Sequence, residues 1–228
     1  MCCKTRRYKK EHHLNKNHFS KLVFAAFTIL YSNFCIASSD HSEIENLFKK
    51  YKESILAKDS LFSVQNVSKE TKKFFDEILH TAKYGEKKDL LAKSLLEHST
   101  VVLYRQMINR DTLSNLNGSS LIKLSVEKGF SGEHNYAKLT IGEINVNGEN
   151  AFAALNFNGN SVPNRFYFTQ ENGLWKINLV EVIKESEKYL KYQFNKSGAT
   201  ETEFVLTYVG YATKTYIKDD IYTPPFKL

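Results

Sequence analysis

Asn147-Gly148-Glu-Asn-Ala151-Phe-Ala-Ala-Leu155-Asn-Phe157-Asn158-Gly159-Asn160 sets an alternating apolar run between two turn pairs, and the fold follows from it. An Asn-Gly pair supplies the positive φ angles that a tight hairpin requires, so each pair marks the end of one strand and the start of the next. A third pair, Asn172-Gly173, lies downstream, and from Tyr136 onward the apolar period is two. The pattern predicts an antiparallel meander with strands at about 136–146, 150–158, 164–171 and 174–182. Leu139, Ile141, Ala151, Ala153, Leu155, Phe157, Phe166, Phe168, Trp175, Ile177 and Leu179 are the positions expected to face its core.

Before the meander the period is helical. Ser42 and Glu45 form a Ser-x-x-Glu capping box, and Ile44, Leu47, Phe48, Tyr51 and Ile55 follow at alternating three- and four-residue spacing, which predicts a helix over about 43–58. Phe74, Phe75, Ile78, Leu79 and Ala82 mark a second, closed by Gly85 in a left-handed turn. Leu90, Leu91, Leu95 and His98 continue helically, Thr100 to Ile108 turns β-branched and reads as a short strand, and Ser119 to Gly129 reads as a short helix. After the meander, Tyr189, Leu190 and Phe194 belong to a helix at about 183–194, Glu203 to Ile217 alternates as a late strand, and Tyr222 to Leu228 is a stiff extended tail. The expected fold class is α+β, with N-terminal helices packed on a curved, cone-like antiparallel sheet of four to six strands, preceded by a signal segment. The chain divides into a leader at 1–37, an N-terminal helix at 38–66, a cone-like domain at 67–182, and a helix, strand and tail at 183–228.

Charge separates the leader from the rest. Of 32 basic and 25 acidic side chains, seven basic and one acidic fall within 1–37, leaving 25 against 24 in the remainder. A near-neutral body has no clustered cations for phosphate contacts, which argues against nucleic acid as a partner. Lys9, Lys10, Lys16 and Lys21 precede an uncharged run from Leu22 to Ala37 that ends in small residues, the order of a secretory signal with cleavage near Ser38. Left uncleaved, residues 22–37 would be a slightly short membrane anchor with the body outside, and the only route to a membrane. The expected location is periplasmic or secreted, or else the inner membrane as a single-pass protein. Cys2, Cys3 and Cys35 all lie in the leader, so the remainder can form no disulfide or thiolate site.

Helices, a short strand, a short helix and then a meander ending in Glu171-Asn-Gly-Leu-Trp175-Lys-Ile177 form an order that resembles the cone-shaped superfamily of ketosteroid isomerase and nuclear transport factor. The most family-like stretch runs from Gly148 to Ile177, a hairpin into a strand of small and apolar residues and then a strand opening on Gly-x-Trp-Lys. The resemblance implies a fold that hosts isomerases, dehydratases, ligand binders, docking modules and an anchored subunit of secretion machines. It also implies a ligand pocket inside the cone, at Tyr104, Phe157, Phe166, Phe168 and Trp175. The chain departs from the superfamily in its first helix and in everything after residue 182.

Catalysis in such a cone needs a carboxylate base and an acid or phenol donor converging in an apolar pocket. Tyr104, Arg105 and Glu143 are polar groups near the expected mouth, but each alternates with apolar neighbours and reads as solvent-facing, so no catalytic residue is assigned. His41, His80, His98 and His134 have no metal-ligand spacing, and His98, on an apolar stripe, reads as a hydrogen-bonded residue at the core edge. Ser120-Leu-Ile-Lys123 matches Ser-x-x-Lys without its companion motifs, so Lys123 reads as the polar face of a helix. Asp219-Asp220 reads as a solvated turn, and no metal or cofactor is expected. Tyr208, Tyr211 and Tyr216 form an aromatic cluster that either docks a partner or covers the sheet rim. The leading expectation is an exported, non-catalytic envelope protein that binds a protein partner or a small apolar ligand. The alternatives are a small-molecule isomerase or hydrolase of the same fold, and a single-pass subunit of a secretion or conjugation machine.

Overall fold

The Asn-Gly turns do what their chemistry requires. Asn158 and Gly159 have φ of 52° and 78°, and Asn172 and Gly173 have 52° and 76°, so both central residues of these two turns are left-handed, whereas at the first turn Asn147 ends its strand and Gly148 alone is left-handed, at 58°. Between the turns lie β1 (Leu139–Asn147), β2 (Asn150–Phe157), β3 (Asn160–Glu171) and β4 (Leu174–Ile177), an antiparallel sheet in the order β1-β2-β3-β4. The computed structural model describes residues 39–130 and 133–227. The leader and all three cysteines lie outside the described residues. Among the described residues no helix is long and apolar enough to cross a membrane.

Helices precede and follow the sheet: α1 (39–56), α2 (Ser60–Asn66), α3 (Lys69–Tyr84), α4 (Lys87–Leu91), α5 (Leu95–Met107), α6 (Arg110–Asn115), α7 (Gly118–Glu127) and α8 (Glu133–Lys138), then α9 (Leu179–Ser197), α10 (Glu201–Thr213) and a 3-10 turn at Asp219–Tyr222. Two expected strands are helices instead. Thr100 to Ile108 lies in α5, launched by a capping box in which Ser94 accepts from the Glu97 amide and Glu97 accepts from the Ser94 amide. Glu203 to Ile217 starts within α10, launched by the same box between Thr200 and Glu203. The helix penalty for a β-branched residue stays under about 1 kcal/mol, less than burying Val101, Val102, Val205 and Val209 at helical spacing returns. With those two segments helical, the sheet among the described residues has four strands, the lower end of the expected four to six, and it is not curled into a cone.

Smaller corrections share one cause, side chains that compete for the backbone at element ends. β4 stops at Ile177 because Asn178 accepts from the Glu181 amide and caps α9, which therefore begins at 179 rather than 183. The Ser42–Glu45 pair lies inside α1, not at its start. Gly85 ends α3 in an extended conformation, φ −67°, and is needed for space: a Cβ there would sit 2.7 Å from the Thr81 carbonyl oxygen. The tail holds a 3-10 turn and buries Tyr222.

Two apolar clusters hold the fold. In the first, Ile44, Leu47, Phe48, Tyr51 and Ile55 of α1 and Ile122 and Val126 of α7 pack on one sheet face through Ala151, Ala153, Leu155, Phe166, Phe168, Trp175 and Ile177. In the second, α3, α5, α7, α9, α10 and the tail meet around Ile78, Val101, Leu121, Leu190, Val205 and Tyr222. Phe75 touches both. α7 can approach α3 this closely only because residue 118 is glycine, whose amide donates to Asp76 Oδ1. A Cβ there would lie 2.4 Å from the Lys72 carbonyl oxygen. Gly118→Ala is therefore expected to cost about 2 kcal/mol, read as a fall in the urea midpoint at unchanged slope.

β3 carries the one proline of the sheet, Pro163, at a break in register: Ala154 pairs with Arg165, but Leu155 pairs with Val162. A residue without an N–H is tolerated at such a bulge. β4 pairs only with Phe168 to Glu171, so the first half of β3 has no strand beyond it. α9 takes that place, with the Asn178 amide donating to the Tyr167 carbonyl.

Candidate functional site

Between the first half of β3 and α9 the packing leaves a groove of about 790 Å³. Its floor is apolar, built from Leu139, Leu155, Phe157, Val162, Phe166 and Val182. Asn135, Asn164, Arg165, Glu185, Ser186 and Tyr189 supply the polar groups. The shape follows from the bulge, which leaves Pro163 and Asn164 outside the pairing, and from a helix, with wider spacing than a strand, lying against the same half of β3. Size and lining are those of a small-molecule site, mostly apolar with a few polar anchors.

The polar groups at the groove are set by neighbours. Glu185 accepts from Lys188 Nζ at 3.0 Å and from the Tyr167 hydroxyl at 2.9 Å, and these bonds, Lys188 first, hold its carboxyl below the usual carboxylate range. The Tyr136 hydroxyl turns inward to accept from Tyr51, and burial pushes it up to about 12. Arg165 lies over the Phe152 ring at 4.3 Å. A general base near neutral pH needs a raised carboxyl, and a phenol donor needs a lowered one, so Glu185 and Tyr136 are tuned away from both roles.

Of the five residues expected to line a pocket, Phe157 and Phe166 line this groove. Phe168 and Trp175 are buried in the first cluster. Tyr104 is in the second, its hydroxyl 3.0 Å from Ser125 Oγ, because residues 100–108 are a helix. Val182, Glu185, Ser186 and Tyr189 were not expected at a pocket: Val182 fell in the expected last strand because α9 starts earlier than its apolar spacing suggests, and the other three lay in the expected helix with no signal for what they face. Glu143 is exposed, as expected, but Arg105 is not. Its guanidinium donates to the carbonyls of Thr81, Ala82 and Gly85, closing the C-terminus of α3, and to that of Ile221 in the tail.

His98 is fully buried rather than at the core edge. Nδ1 lies 2.7 Å from Glu201 Oε1, and Nε2 lies 2.9 Å from the Tyr222 hydroxyl. The order carboxylate, imidazole, hydroxyl is that of a nucleophile triad, but Tyr222 is buried and its phenol is pushed up to about 12 by that burial. Asn117 caps α7, accepting from the Ser120 amide while the Ser120 hydroxyl accepts from the Asn117 amide, and Lys123 pairs with Glu127, which accounts for the Ser-x-x-Lys spacing. Among the described residues no three His, Cys, Asp or Glu side chains group as metal ligands. Tyr211 and Tyr216 are 89% and 88% exposed, so they do not cover the sheet rim. Asp219 pairs with Lys87.

No protein-family model matches the chain, and neither a curated protein nor a solved structure matches it.

Proposed function

We propose that this chain is an exported binding protein that holds a small apolar ligand in the groove between β3 and α9. The groove carries the reading, being apolar at its floor, polar at its edge and within the ~300–1,000 Å³ range of small-molecule sites. Binding is favoured over the isomerase or hydrolase alternative because Glu185 is held ionised and low by Lys188 and Tyr167. Export rests on the leader.

Val182 lines the groove, half-buried against the edge of the first cluster, so Val182→Trp puts an indole into the groove. The purified body is expected to bind an environment-sensitive apolar dye saturably, and Val182→Trp to weaken that binding at least about tenfold in protein that still melts cooperatively. Equal dye binding by both proteins, or none by either, sinks the reading. Export is checked by N-terminal sequencing of the mature protein, which should begin near Ser38.

A further inference from the structure

The last described residues form a strap that turns back from α10 and crosses α3, α4 and α5. Lys214 ends α10 in a left-handed conformation, φ 54°, and the chain then lays Tyr222 into the second cluster. Three polar attachments hold it. Arg105 donates to the Ile221 carbonyl, the Phe226 amide donates to the Lys83 carbonyl, and the Tyr222 hydroxyl meets His98 Nε2. The exposed Lys87–Asp219 pair adds little.

We propose that His98 is a pH-sensitive latch for this strap, holding residues 218–227 when its imidazole is neutral and releasing them when it is protonated. The hydrogen bonds fix the tautomer. Glu201 as a carboxylate can only accept, so Nδ1 carries the proton and donates to it, which leaves Nε2 bare to accept from the Tyr222 hydroxyl. Thr202 donates in turn to the Tyr222 oxygen. A second proton, at Nε2, turns that acceptor into a donor aimed at a hydroxyl already receiving one hydrogen bond. The Tyr222 proton then loses the imidazole acceptor that held it, and moving the phenol out is the relief the fold allows.

The charged groups facing the imidazole are Glu201 from α10 and Lys87 from α4, and those facing Tyr222 are Asp219, Glu201, Arg105 and Lys87, whose ammonium lies 4.7 Å over the phenol ring. Burial lowers the His98 pKa and outweighs Glu201, which raises it, while Lys87 lowers it further. With the docked value below that of a free imidazole, neutral His98 stabilises the strap above about pH 6.5, and the contribution is lost as pH falls through the docked value. Arg105, lowered by burial to about 10, keeps its charge throughout this window.

Hydrogen exchange of the full chain at pH 7.5 and pH 5.0, corrected for intrinsic rates, tests this directly. Peptides from 214–227 are expected to lose protection about tenfold at pH 5.0, while β2 and β3 do not change. Glu201→Gln keeps an acceptor for Nδ1 but removes the charge that favours the imidazolium, so its release midpoint is expected at lower pH. His98→Gln should show a strap whose protection no longer responds to pH in this window. A wild-type strap indifferent to pH, or a Glu201→Gln midpoint that stays or rises, overturns the latch.

Discussion

Replacing Arg105 by leucine is expected to destabilise the protein by about 4 kcal/mol, a fall of about 10 °C in melting temperature for a chain of this length. Arg105 is 9% exposed, and its guanidinium satisfies four carbonyls at once. Three of them lie at the C-terminal end of α3, where the Thr81 carbonyl oxygen also accepts from the Gly85 amide but a helix leaves its last oxygens short of internal donors. Leucine fills the space of the stem but removes every guanidinium donor, at about 1–3 kcal/mol for each buried oxygen left without a partner. Arg105→Lys should recover less than half, because an ammonium presents three donors in a tetrahedron where a planar fork is needed. Thermal melts of the three proteins at pH 7 check this, and a leucine variant within about 2 °C of wild type would show that the carbonyls find other partners.

Phe166→Ala should cost about as much, about 3–5 kcal/mol. The ring is 1% exposed, stands edge-on to Phe48 at 5.0 Å and 81°, and contacts Phe168 at 5.5 Å. Removing it costs the transfer of a whole aromatic side chain and leaves a hole under α1. The same ring walls the groove, so the hole opens into it. Denaturation should show the loss, and binding of an apolar dye should be retained or strengthened in the folded fraction, whereas Val182→Trp abolishes it. Phe166→Leu should recover more than half of the stability. An alanine variant that loses stability and dye binding together would mean that the groove closes when α1 settles.

The strands could be read because Asn-Gly pairs act locally, through φ angles that few other residues adopt cheaply. The stripe from Ile44 to Ile55 was legible for a similar reason, since α1 buries one side alone. α5 and α10 were not. Residues buried on several sides lose their period, so Thr100 to Ile108 and Glu203 to Ile217 show β-branched and aromatic runs that a strand would also show. The missed helices displaced Tyr104 from the expected pocket and took away the strands that would have closed a cone. Phe157 and Phe166 reached the groove because they belong to the meander, whereas Val182 and Glu185 reached it through a helix start set by one residue, Asn178. His98 between Glu201 and Tyr222, and Arg105 between two segments, are long-range meetings that no spacing encodes.

α1 packs on strands made long after it. Phe48 meets Phe166, and at ~5–20 residues per second a ribosome adds the intervening chain in roughly ten seconds. Throughout that interval Ile44, Leu47, Phe48, Tyr51 and Ile55 have no sheet to cover, and the helix they define lacks the packing that supplies most of a helix's stability in a protein. The nascent chain therefore presents a sticky apolar stripe near its start for the whole of its synthesis, a natural handle for a holding chaperone. Each hairpin of the meander, by contrast, can zip as soon as it emerges. A slowed or truncated translation that stops before β3 would leave this stripe unpaired for good, and such fragments should aggregate through α1 rather than through the sheet.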